Sequence, residues 1–284
     1  TPNFTFKFHS REAAVVRPYL EEWAEDTLER QSRLFGFQPR GPLSIELCFS
    51  FQDQSARTVG VPNLGALGVC FGKLCTLVSP REGQGNHPPF NWRRVLEHEF
   101  GHVMALQLSD FRVPRWYTEG LSTYLEDDSR VESDQMMVDA LARGRLKPIE
   151  RLNEYFRDNP LMAYVHGRFV IEYMDKTFGF EAHRGALRMF GEGKKVEEVL
   201  PAATGKTLAE LNAGHLDYLR AFYQRVRVAP SYDRAEVATL EAAAAAPEAT
   251  AQAIAELAKA YFRMRGGGPR AEEYARKALA KDPQ

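Results

Sequence analysis

The chain has 284 residues, enough for one large domain or two modest ones, and its 44% hydrophobic and 26% charged residues are the balance of a globular protein. Lysine and arginine number 37 against 38 aspartates and glutamates, so no net field points to nucleic acid or to an anionic membrane surface. No apolar run reaches the roughly 18 residues of a membrane span, and residue 1 is Thr with no signal peptide after it, so the chain reads as a processed or trimmed piece of something longer.

Phe4, Phe6 and Phe8 alternate with polar neighbours over Asn3–His9, the pattern of a half-buried strand. Glu12–Leu34 reads as a long helix ending at Gly36, and Leu43–Phe51 as a second strand with Leu43, Ile45, Leu47 and Phe49 on one face. Gln52–Gly65 is loop-rich, with Gly60, Pro62, Asn63 and Gly65. Gly68–Phe71 and Leu74–Val78 make a hairpin if Gly72-Lys73 is its two-residue turn. Cys70 and Cys75 would then face each other as a non-hydrogen-bonded pair, either bridged or as two small buried thiols. A bridge would imply an oxidising compartment, periplasmic or secreted; nothing else in the sequence bears on localisation. Cys48 reads as a core strand residue, and no cysteine has metal-ligand spacing. Ser79–Pro89 is a Gly/Pro/Asn loop leading into the next helix.

That helix carries His98-Glu99-Phe100-Gly101-His102, an H-E-x-x-H pattern. Asn91 is a good N-cap, Phe90 and Val95 suit a hydrophobic staple, and Val95, Leu96, Phe100, Val103, Met104 and Leu106 give a broad apolar surface. Histidines at i and i+4 share one helix face and can reach one metal ion, with the glutamate between them as general base. The alternative is a histidine pair that merely caps or packs, but polar groups on a buried helix need partners, and a metal supplies one. Glu97 points about 100° away from His98 on the helix.

A second helix is predicted after Pro114, with a stripe of Trp116, Leu121, Tyr124 and Leu125. It brings Glu119, seventeen positions after His102, to where it can face the histidine pair. The alternative is a solvated helical glutamate. Here the chain resembles the gluzincins, and within them the peptidase MA-like group, whose H-E-x-x-H is followed by W-x-x-E-G-x-(A/S)-x-Y; Trp116, Glu119, Gly120, Ser122 and Tyr124 stand in that register. The resemblance spans about residues 3–225 and is specific over 98–124. It implies that His98, His102 and Glu119 bind Zn²⁺ and that Glu99 is the base. Thr123, one turn after Glu119, is a candidate partner for a ligand histidine, whereas Glu126, Asp127 and Asp128 look like a solvated helix end. The resemblance further implies that a peptide substrate adds as a strand to the hairpin Gly68–Val78. The G-A-M-E-N element of the aminopeptidase relatives is replaced by Gly65-Ala66-Leu67-Gly68-Val69, which turns the expectation toward an endopeptidase.

From about residue 131 the pattern is helical. One helix runs from Pro160, behind Asn159 as N-cap, to Gly179. In the resembled family a Tyr or His on such a helix steadies the oxyanion; Tyr164 and His166 lie about 200° apart and cannot both do so. Tyr164 fits the family pattern better, with an ordinary core or surface aromatic as its alternative. Arg168 shares its face and reads either as a substrate contact or as a solvated side chain. Thr204–Leu211 opens another helix, in a pattern that recurs in the group. Ala242–Ala246, Pro247, Leu257, Ala258, Tyr261, Ala271, Ala275, Ala278 and Pro283 resemble one tetratricopeptide repeat with a one-residue excess at Gly266-Gly267-Gly268.

The expected fold is therefore α+β: a zincin-like catalytic domain over 1–230, with a small mixed sheet and helices in 1–130 and a helical part in 131–230, then a helical repeat segment over 231–284. The expected activity is zinc-dependent hydrolysis of a peptide or protein substrate. Two alternatives stand beside it: a vestigial domain that binds a protein partner through its helical repeats, and zinc hydrolysis of a non-peptide substrate.

Overall fold

The computed structural model describes residues 1–61, 64–84, 89–126, 131–226, 228, 231–264 and 266–283. The chain is of the α+β class and divides into two compact units, residues 1–130 with 146–222 and residues 131–145 with 223–284. Residues 131–145, expected in the first domain, thus group with the C-terminal helices. No described helix is long and apolar enough to cross a membrane.

The first unit opens with β1 (Phe4–Phe8) and α1 (Ala13–Phe35), which Gly36 caps in the left-handed region at φ 56°. β2 spans Leu43–Cys48 and stops short of the expected Phe51. The reason is Ser50, whose Oγ accepts from the Asp53 N–H at 3.1 Å and starts α2 (Phe51–Val59) where a loop was expected. β3 (Gly68–Cys70) and β4 (Leu74–Val78) form the expected hairpin, with Gly72 at φ 81°. The sheet order is β1-β2-β4-β3, parallel except for the antiparallel β3, which is an edge strand. Phe71 N donates to Leu74 O and Val78 N to Leu67 O, each at 2.8 Å. Gly68 and Cys70 are therefore in non-hydrogen-bonded pairs, and their backbone N–H and C=O groups face the open edge. Cys70 and Cys75 stand opposite each other, as expected, and are free thiols rather than a disulfide. Cys48 is buried in its strand.

One face of the sheet, with Ile45, Leu47, Cys75 and Leu77, packs on Leu20, Ala24 and Leu28 of α1 and on Leu96, Phe100 and Val103 of α3 (Trp92–Leu108). Asn91 caps α3 as predicted, its Oδ1 accepting from Arg94 N at 3.3 Å. α3 ends in two left-handed residues, Asp110 (φ 48°) and Phe111 (φ 61°). That turn lays the Phe111 ring on Gly72, where an added Cβ would come within 2.6 Å of it. Gln107 Nε2 donates to Gly72 O at 2.7 Å.

α4 (Arg115–Leu125) follows directly, with Pro114 as its N-cap. α5 (Val131–Ala142) belongs to the second unit. The first unit then continues with α6 (Tyr155–Asp158), α7 (Pro160–Phe178), α8 (Phe180–Gly191), α9 (Val196–Thr204) and most of α10 (Leu208–Val226). Two glycines let α3, α4 and α7 approach closely. A Cβ on Gly101 would lie 2.6 Å from Ser122 Oγ, and one on Gly120 would lie 2.5 Å from the Gly167 carbonyl carbon.

The second unit contains α5, α11 (Arg234–Ala245), α12 (Ala251–Arg263) and α13 (Gly268–Lys281). Val237, Leu257, Ala260, Tyr261 and Ala271 form its core. Asp233 caps α11, and Arg143 binds both Asp233 and Glu236, at 3.0 and 2.8 Å. α12 and α13 leave a groove lined by Ala255, Ala258, Ala271 and Ala275, beside the exposed side chains of Phe262 and Leu279.

Candidate metal centre

α3 presents His98 and His102 on one face, their Nε2 atoms 3.2 Å apart. α4 presents Glu119, whose Oε2 lies 3.5 Å from His98 Nε2 and 3.3 Å from His102 Nε2. Ligand atoms of all three residues lie within 4.8 Å of one another. Glu119 is no solvated helix residue: it is 9% exposed, and its Oε2 points inward. Two imidazoles and a carboxylate converging in this way fit a divalent cation such as Zn²⁺ with a fourth position left open.

The outer nitrogens are held as well. His98 Nδ1 lies 2.5 Å from Glu126 Oε1, and His102 Nδ1 lies 2.7 Å from Thr118 Oγ1. A carboxylate can only accept, so His98 holds a proton on Nδ1, and Nε2 is the nitrogen that faces inward. These two partners correct the sequence expectation. Glu126 is not part of a solvated helix end: its side chain is 7% exposed and binds Arg94 as well as His98. α4 stops at Leu125, and Glu126 takes an extended conformation that returns its carboxylate to the site. Asp127 and Asp128 lie outside the described residues. Thr123 Oγ1 is buried with no hydrogen-bond partner among the described residues, and it is Thr118, one residue before Glu119, that binds a histidine of the pair. The missed signal was the spacing: Glu126 follows Glu119 by two helical turns and so lies on the same face. Glu97 faces away from the histidines and binds Arg30 and Arg93 at 2.7 and 3.2 Å.

Charge at the centre is concentrated. Burial alone would lower the His98 pKa, but its bonds to Glu119 and Glu126 and the field of Glu99 overcome that and lift it to about 10. Burial opposes ionisation of Glu119, yet hydrogen bonds from His102 and His98 hold its pKa well below the usual carboxylate range. What attracts a proton to this cluster also attracts a metal cation. Glu99 is 3% exposed, and burial raises its pKa against the opposing fields of His102 and His98. Its Oε2 is buried without a hydrogen-bond partner among the described residues. Its Oε1 lies against the edge strand, where a Cβ on Gly68 would come within 2.4 Å. An orphaned carboxylate oxygen beside three converging ligand atoms is the arrangement a bound water and metal would complete.

Tyr164 joins the site from α7. Its ring centroid is 6.3 Å from that of His98, with the planes 30° apart. Its hydroxyl is close enough to Glu119 and Arg115 for both to act on its acidity; burial, then the Glu119 field, pushes its pKa up to about 12. His166 is elsewhere, fully buried and 3.1 Å from His215 through their Nε2 atoms. Arg168 is buried at 8% exposure, not solvated. No protein-family model matches the chain, and no curated protein matches it.

Proposed function

We propose that the first unit is a zincin-like domain of the gluzincin type and that it hydrolyses peptide bonds with Zn²⁺ at His98, His102 and Glu119. The observation that carries the reading is the convergence of these three ligand atoms within 4.8 Å beside the buried Oε2 of Glu99, which has no hydrogen-bond partner among the described residues. Bound there, Zn²⁺ would supply the positive charge that acidifies a water and polarises a scissile carbonyl. Glu99 takes the proton from the attacking water and delivers it to the leaving amine; its raised pKa brings it closer to the working pH of a general base. Tyr164, neutral at any ordinary pH, donates a hydrogen bond to the developing oxyanion. The outward-facing backbone groups of Gly68 and Cys70 receive the substrate as an added strand, directly beside Glu99.

Metal analysis should find one equivalent of zinc. The Glu99→Gln variant should keep that zinc while hydrolysis of a peptide library falls by about 10²–10⁴. Absence of zinc from a protein with intact ligands would sink the reading. The competing reading, a scaffold acting through α11–α13, has support in the exposed Phe262 and Leu279 beside the α12–α13 groove. It requires Glu99→Gln to leave function unchanged.

A further inference from the structure

The rim of the centre carries a cation that the proposed reaction does not use. Arg115 opens α4 one turn before Glu119. Its Nε lies 3.6 Å from Glu119 Oε1, and its guanidinium lies 4.0 Å over the Phe156 ring. The side chain nevertheless remains 63% exposed. A separation of 3.6 Å is an ionic contact but too long for a hydrogen bond. Stacking on Phe156 covers a face of the guanidinium and keeps its in-plane N–H donors at the edge, where one of them reaches the Tyr164 hydroxyl. That bond occupies only part of a five-donor group, and the exposed side of the guanidinium remains accessible. Nearby cations are differently placed: Arg94 is held by Glu126 at 2.5 Å, and Arg168 is buried.

We propose that Arg115 selects substrates carrying a carboxylate one residue beyond the scissile bond, either the terminal carboxylate of a peptide or an Asp or Glu side chain. The inference rests on the metallohydrolase reading above. Three features carry it. Arg115 touches the outer oxygen of the same carboxylate whose inner oxygen faces the histidines. A scissile carbonyl held at the histidines places the next residue about 3.5 Å further along an extended chain, so a substrate running past Glu119 brings it within reach of Arg115, whose Nε is 3.6 Å from that carboxylate. A metal that takes up the charge of Glu119 leaves Arg115 short of a counter-ion, and a planar guanidinium matches a carboxylate in a two-bond fork.

The test uses the full chain carrying Glu99→Gln, loaded with zinc, so that binding is read without turnover. Three probes are titrated by calorimetry: acetyl-Ala-Ala-Ala with a free terminal carboxylate, its amide, and acetyl-Ala-Ala-Asp amide. At least one of the two anionic probes should bind about tenfold or more tightly than the neutral amide, a difference of about 1.4 kcal/mol. Which of them does so identifies the source of the carboxylate. Adding Arg115→Gln should erase the difference, and Arg115→Lys should restore part of it. Equal binding of all three probes, or binding of none, overturns the proposal. So does an Arg115→Gln variant that loses zinc affinity but keeps the preference, because Arg115 would then act only on Glu119. Metal analysis of the wild-type chain separates the two readings: zinc bound without an anionic preference removes the role of Arg115 alone, whereas a preference without zinc removes the metallohydrolase.

Discussion

Glu126 and Thr118 decide which nitrogen each histidine offers inward, through contacts of 2.5 and 2.7 Å to the outer Nδ1 atoms. Under the zinc reading, Glu126→Ala should weaken zinc binding about 10- to 100-fold, measured by competition with a chromophoric chelator. Retention of full affinity would show that the imidazoles are oriented by packing alone. Tyr164→Phe keeps the ring that stacks near His98 and removes only the hydroxyl. It should lower kcat by about 10²–10³ with little change in KM, the signature of a contact made in the transition state. Gly68→Ala would drive a methyl group to 2.4 Å from Glu99 Oε1. That variant should hold zinc normally and lose hydrolysis; unchanged turnover would mean that Glu99 can move aside without consequence.

Among the helices, the distance between the histidine pair and Glu119 is set by glycine. Gly101 lies inside the H-E-x-x-H segment against Ser122, and Gly120 directly follows Glu119 against Gly167. A side chain at either position would push α3, α4 and α7 apart and carry Glu119 away from His98 and His102. Gly120→Ala should cost about 1–3 kcal/mol in denaturant unfolding and weaken zinc binding together with stability. The short-range signals were legible in the sequence: the alternation of Phe4, Phe6 and Phe8, the Asn91 cap, and the Gly72-Lys73 turn each depend on neighbours within a few residues. The approach of Glu119 to the histidines was legible only through the resemblance carried by Trp116, Glu119 and Gly120, because the turn between two helices hides which faces meet. α2 was not, because Gly60 and Pro62 dominate the reading of a segment whose helix start depends on a single Ser50 cap. Glu126 escaped for a related reason. Polar residues at a helix end look solvated until the chain that folds over them is known.

At the scale of the molecule, the first unit buries a histidine that resists protonation. His183 accepts from the Tyr117 hydroxyl through Nδ1 at 2.6 Å and donates from Nε2 to Ile171 O at 3.2 Å. Burial lowers its pKa to about 4, and that of His215 to about 3. An unfolded imidazole titrates near 6.5, so between that pH and the folded value the unfolded chain binds more protons, and stability falls as pH falls. For His183 the full loss is about 3 kcal/mol, and urea midpoints should begin to drop between about pH 6.5 and 5, above the range of ordinary carboxylates. A shallower slope in His183→Gln would assign the effect; identical slopes would remove it. The sheet order could not be read from the sequence, since parallel neighbours are brought together only by crossovers far longer than any local pattern. That order has a further consequence at the edge. The hairpin touches α3 at two points, β3 through Gly68 at Glu99 and the turn through Gly72 at Gln107. Glu99 to Gln107 advances about 12 Å along a helix, and Gly68 to Gly72 is covered by the three residues of β3 and the turn that follows them. The hairpin is thus pinned to α3 at two marks about two helical turns apart, and under the strand-addition reading a chain laid along β3 would meet the histidines at a position counted in residues.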